Sequence, residues 1–168
     1  MFAGLGEGTA ADWSSLHVVE VCLVAPEQGA VGLAAVSSCM VIIRFLGDSI
    51  VARWGRRTTA AAGGAVATVG YLLVATQSHL GIVLCGWSLV GLGVGLIAPQ
   101  VYGAAGRLGG GRTLATVVTF GYTAFLAGPA VMGAIIGYFG MQHAMLFPAA
   151  LCLVIVGFSR WFPNVEAN

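Results

Sequence analysis

Charge is what this sequence has least of. Only 8% of its 168 residues are Asp, Glu, Lys or Arg, about a third of the roughly 25% found in ordinary soluble domains. Lysine is absent altogether, and the basic residues are seven arginines: Arg44, Arg53, Arg56, Arg57, Arg107, Arg112 and Arg160. So few ionised groups cannot clothe a water-exposed globule of this length, which excludes a compact soluble enzyme. Disorder is excluded by the 58% hydrophobic content. The arginines do not form the dense basic face that nucleic acid requires, so no nucleic-acid partner is expected. The four cysteines (Cys22, Cys39, Cys85, Cys152) show no Cys-x-x-Cys spacing, and no nucleophile–base pair is visible. No metal, cofactor or enzymatic activity is therefore expected.

What the chain has in abundance is long uncharged runs. Residues 58 to 106 and 113 to 159 contain no charged side chain, and each run is long enough for two membrane-spanning helices of about 20 residues. Turn signals fall near their middles, at Gln77-Ser78-His79 and at Gly140-Met141-Gln142-His143. A further apolar run begins at Gly29. The reading is an all-α integral membrane protein, a single transmembrane domain over 1–168 with lipids as neighbours. Its approximate helices are 1–21 (partial), 29–53, 58–76, 80–105, 113–139 and 143–161. The first helix carries Glu7, Asp12 and Glu20, has no basic leader of the signal-peptide kind, and reads as a span whose beginning is missing.

Sidedness follows from the arginines. Those after the second and fourth helices, and Arg160 at the end of the sixth, all fall on one side; Glu20, Glu27 and the histidines fall on the other. The positive-inside rule then puts both termini and the arginine loops in the cytoplasm of a cell inner (plasma) membrane.

Polar residues inside spans must face protein or a watery cavity. Helices one, two, four and five carry them, in Glu7, Asp12, Arg44, Asp48, Gln100, Tyr102 and Tyr122, together with Thr116, Thr119 and Thr123. Helices three and six hold only weakly polar groups and read as lipid-facing. The cavity candidates are Glu7, Asp12, Trp13, Gln100 and Tyr122. Glu7 reads as a proton carrier, or as a solvated carboxylate near the outer interface; Trp13 reads as a stacking surface or as an interfacial belt residue. Pro99 and Pro129 interrupt helical hydrogen bonding and permit bends, while the glycines around them serve close packing. The string Gly106 to Thr113 approximates a phosphate-binding loop, but it joins two spans instead of a strand and a helix, and reads as a flexible connector.

The turn after helix two runs Gly47-Asp48-Ser49-Ile50-Val51-Ala52-Arg53-Trp54-Gly55-Arg56-Arg57. This stretch resembles the signature loop of the major facilitator superfamily, G-x-x-x-[DE]-[RK]-x-G-[RK]-[RK]. The match is close over Arg53, Gly55, Arg56 and Arg57; Ala52 stands where the family has its acid, and Asp48 lies one helical turn earlier on the same face. Glu7 to Trp13, Gly86 to Arg107 and Gly121 to Pro129 are similar to the seventh, tenth and eleventh helices of a bacterial branch of that superfamily. The resemblance implies one six-helix half of a secondary transporter that moves a small-molecule substrate by alternating access, coupled to protons and completed by the other half. Asp48, Arg53, Gly55, Arg56 and Arg57 would form its cytoplasmic gate. The absence of an arginine within the fourth helix favours the C-terminal half; the arginine signature and Gly128-Pro129-x-x-x-Gly133 speak for the N-terminal one. The alternative is a truncated or partner-dependent membrane subunit with no transport activity alone.

Overall fold

A computed structural model describes residues 2–159. Among them the chain forms four continuous helical stretches and no strand: α1 (Phe2–Cys22), α2 (Ala30–Thr76), α3 (Leu80–Ala144) and α4 (Leu146–Phe158), with a single 3-10 turn at Pro26–Gln28. The long stretches are not straight rods. Gly55 breaks α2 with φ 76°, and Gly110 and Gly140 break α3 with φ 62° and 78°. At Gly55 the conformation (ψ 161°) belongs to a region that side chains with a Cβ avoid. Five helical segments plus the N-terminal one result, the all-α membrane architecture expected. Arg160 and the end of the sixth helix lie outside the described residues.

Contacts between segments give the topology. Val36 meets Gly91, and Met40 and Ile43 meet Gly95, so 30–54 runs parallel to 80–107. Gly63 meets Gly93, and Gly70 meets Gly86 and Val90, so 56–76 runs antiparallel to the same helix. The chain therefore folds back at Gly55. The breaks carrying the arginines share one end of the bundle, where Arg56 and Arg107 both approach Gly103. At the other end the Gln142 amide donates to the Gln77 carbonyl at 3.2 Å. Pro26–Thr76, Leu80–Arg107 and Gly109–Ala144 are long and apolar enough to cross a membrane. α1, with three carboxylates in 21 residues, is not among them.

The centre of the bundle is 80–107, with Trp87, Val90, Val94 and Ile97 buried. The third segment is not lipid-facing all round, contrary to the expectation from its composition. Thr59, Ala60, Gly63, Gly64, Ala67, Gly70, Tyr71 and Val74 form a buried face, while Val69 and Leu72 point outward. The cause is residue size. A Cβ on Gly70 would lie 2.6 Å from the Gly86 carbonyl oxygen, and one on Gly64 would lie 2.9 Å from Val156, so only small residues let these backbones meet. The Tyr71 hydroxyl donates to the Gly6 carbonyl and ties the third segment to α1.

Candidate functional site

Four segments line an open-sided cavity of about 440 Å³ formed by Gly4, Glu7, Arg44, Ala98, Pro99, Tyr102, Gly121, Tyr122 and Phe125. α1 and 111–139 approach so closely that a Cβ on Gly4 would lie 2.9 Å from the Gly121 carbonyl oxygen. Gly121 in turn leaves room for Tyr102, whose hydroxyl sits 2.9 Å from where its Cβ would be. Pro99 lacks an N–H, which leaves the Gly95 carbonyl without its usual helical donor; Pro129 does the same for the carbonyl of Phe125. Interrupted backbone of this kind is tolerated at membrane depth where it lines a cavity.

The chemistry of the wall is an ion pair. Arg44 Nη2 donates to Glu7 Oε1 at 2.7 Å, joining α2 to α1. Neither group is sealed away, since 42% of the arginine side chain and 26% of the glutamate side chain remain accessible. A paired carboxylate and guanidinium meet each other's need for a counter-charge in an apolar setting, yet a solute reaching the cavity meets both. Arg44 was not among the cavity candidates. Its signal was its isolation, an ionisable residue within the run from Gly29 onward.

Of the candidates read from sequence, the cavity brings together Glu7, Tyr122 and Pro99. Asp12 is exposed and stands outside it. Trp13 is half-buried, its ring about 3.9 Å from where a Cβ on Gly133 would lie, and its indole nitrogen is buried without a partner among the described residues. Gln100 is buried but turned away from the cavity, accepting from Arg56 Nη1 at 3.2 Å. The threonines of the fifth segment need no cavity at all. Thr116, Thr119 and Thr123 are exposed and donate to the carbonyls of Arg112, Ala115 and Thr119, one turn back.

At the arginine end, Gly55 makes the turn and Thr59 Oγ1 caps its carbonyl at 2.8 Å. Arg56, not Arg53, reaches inward. Among the described residues Arg53 and Asp48 form no ion pair, and Arg53 is exposed while Arg57 is half-buried. The Arg56 guanidinium is held below its ordinary pKa, first by partial burial and then by the like charge of Arg107, with Asp48 opposing.

No family model matches the chain. Over 158 residues, 92% of the chain, it is 34% identical to an uncharacterized transporter of Sinorhizobium fredii, of which it covers 40%. It is 28% identical over 93% of its length to an uncharacterized MFS-type transporter of Yersinia pestis, covering 41% of that protein. By sequence the chain is similar to proteins of the major facilitator superfamily. The membrane protein MosC of Rhizobium meliloti shows 29% identity over the same share, with 39% of it covered. The chain thus spans about two fifths of the curated relatives it matches. Two of the three relatives carry transporter names, which together with the apolar helices supports a membrane location.

Proposed function

We propose that this chain is one six-helix half, the C-terminal one, of a secondary transporter that moves a small solute by alternating access, coupled to protons. The observation that carries the reading is the Glu7–Arg44 pair on the wall of the cavity. A proton arriving on Glu7 cancels its attraction for Arg44, and the released guanidinium is then free to engage an anionic group of the solute. Departure of solute and proton restores the pair. Tyr102, Tyr122 and Phe125 supply a mixed aromatic and hydroxyl surface around it. The exposed faces of 30–54 and 113–139, with Phe45, Trp54, Phe120, Tyr122 and Leu126, are where a second half would close the cavity. Asp48, Arg53, Gly55, Arg56 and Arg57 form the gate at the cytoplasmic end, with Arg56 held by Gln100, and both ends of the chain on that side of the inner membrane.

The test is uptake by the complete transporter driven by an imposed pH gradient. Glu7→Gln is expected to abolish gradient-driven accumulation while preserving solute exchange at equal pH. Unchanged gradient-driven uptake would remove Glu7 from coupling.

A second reading, a membrane subunit inactive without a partner, is favoured by the open side of the cavity, where Tyr122 is 66% exposed. Transport by the 168-residue chain alone in proteoliposomes would rule that reading out.

A further inference from the structure

We propose that Arg56 and Arg107 form a binding site for a phosphate group, on the two sides of Gly103 at the arginine end of the bundle. The position a Cβ would occupy on Gly103 lies 2.7 Å from Arg56 Nη1 and 3.5 Å from Arg107 Nη2. The two guanidinium nitrogens are therefore within about 6 Å of one another, close enough for like charges to repel. Two charge-assisted bonds of about 2.8 Å each, bridged by one phosphate, cover that span and convert the repulsion into shared attraction.

The surroundings favour an anion. Arg56 Nη1 donates one hydrogen to the Gln100 side-chain oxygen at 3.2 Å, which fixes the fork and leaves the other Nη1 hydrogen and the Nη2 donors available. Among the described residues no carboxylate comes within 4 Å of either arginine, the ion pair present being Arg44–Glu7. Arg53, Arg57 and Arg112 stand on the same two turns against Asp48 alone. Basic pockets between helices near a membrane surface attract phospholipid headgroups by this same electrostatics. Gly103 is the enabling residue: any side chain there would occupy the space between the two guanidinium groups. Gly103 follows Tyr102 of the cavity wall, but neither Arg56 nor Arg107 lines that cavity, and the site does not depend on the transport reading.

The phosphate could come from an anionic phospholipid or from solution, and one experiment separates the two. The full chain in detergent is titrated with phosphatidylglycerol, with phosphatidylcholine and with inorganic phosphate, and adducts are counted by native mass spectrometry. One saturable phosphatidylglycerol adduct that persists in excess inorganic phosphate assigns the lipid headgroup; its displacement by an inorganic phosphate adduct assigns the free ion. In either case Arg107→Gln should weaken binding about fivefold. Gly103→Ala, which adds no charge, should weaken it as well, and Arg112→Gln should not. Melting temperatures of the variants confirm that each is folded. Affinities that are the same in the unsubstituted chain, Arg107→Gln and Gly103→Ala would overturn the proposal. So would a loss in Arg112→Gln equal to that in Arg107→Gln, which would reduce the effect to general surface charge.

Discussion

Single side chains in this protein are governed by the scarcity of partners. Glu7 and Arg44 are 37 positions apart and meet at 2.7 Å, each making the other tolerable in an apolar bundle. Removing one strands the other. Both are partly accessible, so the penalty falls well short of the several kcal/mol of a fully buried pair, at about 1 kcal/mol. Arg44→Gln should therefore lower the thermal midpoint in detergent by about 2–4 °C, and Glu7→Gln together with Arg44→Gln should recover most of it. Failure of the double variant to recover would show that the pair is not the coupled unit its geometry describes. Tyr71 offers a second case. It is fully buried and donates to the Gly6 carbonyl, so Tyr71→Phe should cost about 1 kcal/mol, measurable by thermal or denaturant unfolding. Neither partnership was legible in sequence. Glu7 stood out as a carboxylate inside a span, but which cation faces it depends on how two helices are rotated.

At the scale of the helices, the glycines divide into those that turn the chain and those that let it pack. Gly55 turns it, at φ 76° and ψ 161° with open space around it. Gly55→Ala should therefore cost about 1–3 kcal/mol by backbone strain alone, without any clash, and impair the reversal between 30–54 and 56–76. Gly70 packs. A methyl there meets the Gly86 carbonyl at 2.6 Å, so Gly70→Ala should destabilise by about 1–3 kcal/mol through forced separation of helices. Gly137→Ala, where a Cβ meets nothing, should be neutral or stabilising through helix propensity. A stability series across these three variants reads the distinction directly, and equal effects at Gly70 and Gly137 would contradict the packing account. The composition of the third helix suggested an outward, lipid-facing element. Its polar content was the wrong guide, because Gly63, Gly64, Ala67 and Gly70 make a face that packs closely without polar groups.

For the molecule as a whole, the consequence is an asymmetric bundle. The helix 80–107 is the hub, 56–76 packs along it, α4 packs on 56–76 and α1, and 30–54 and 113–139 keep broad apolar faces exposed. The arginine-bearing breaks gather at one end and the Gln77–Gln142 contact marks the other. If the arginine end is cytoplasmic, a cysteine at Ser78 should react with a membrane-impermeant maleimide added outside, in a background where Cys22, Cys39, Cys85 and Cys152 are replaced by serine. A cysteine at Gly111 should react only after permeabilisation. The reverse pattern would invert the topology.

The sparse charge, the two uncharged runs and the Gly and Gln-Ser-His interruptions between them determined by themselves that the chain is helical, membrane-embedded and folded back several times. Those are local properties, set by hydropathy over one span and by backbone chemistry over a few residues. Only the tertiary structure decided that Arg44 answers Glu7, that Gln100 serves Arg56 and not the cavity, that the fifth-helix threonines are satisfied by their own backbone, and that Gly103 leaves two arginines facing one another. Each of these depends on the rotation and separation of neighbouring helices, which side-chain size fixes across long stretches of chain and which no local run of residues encodes.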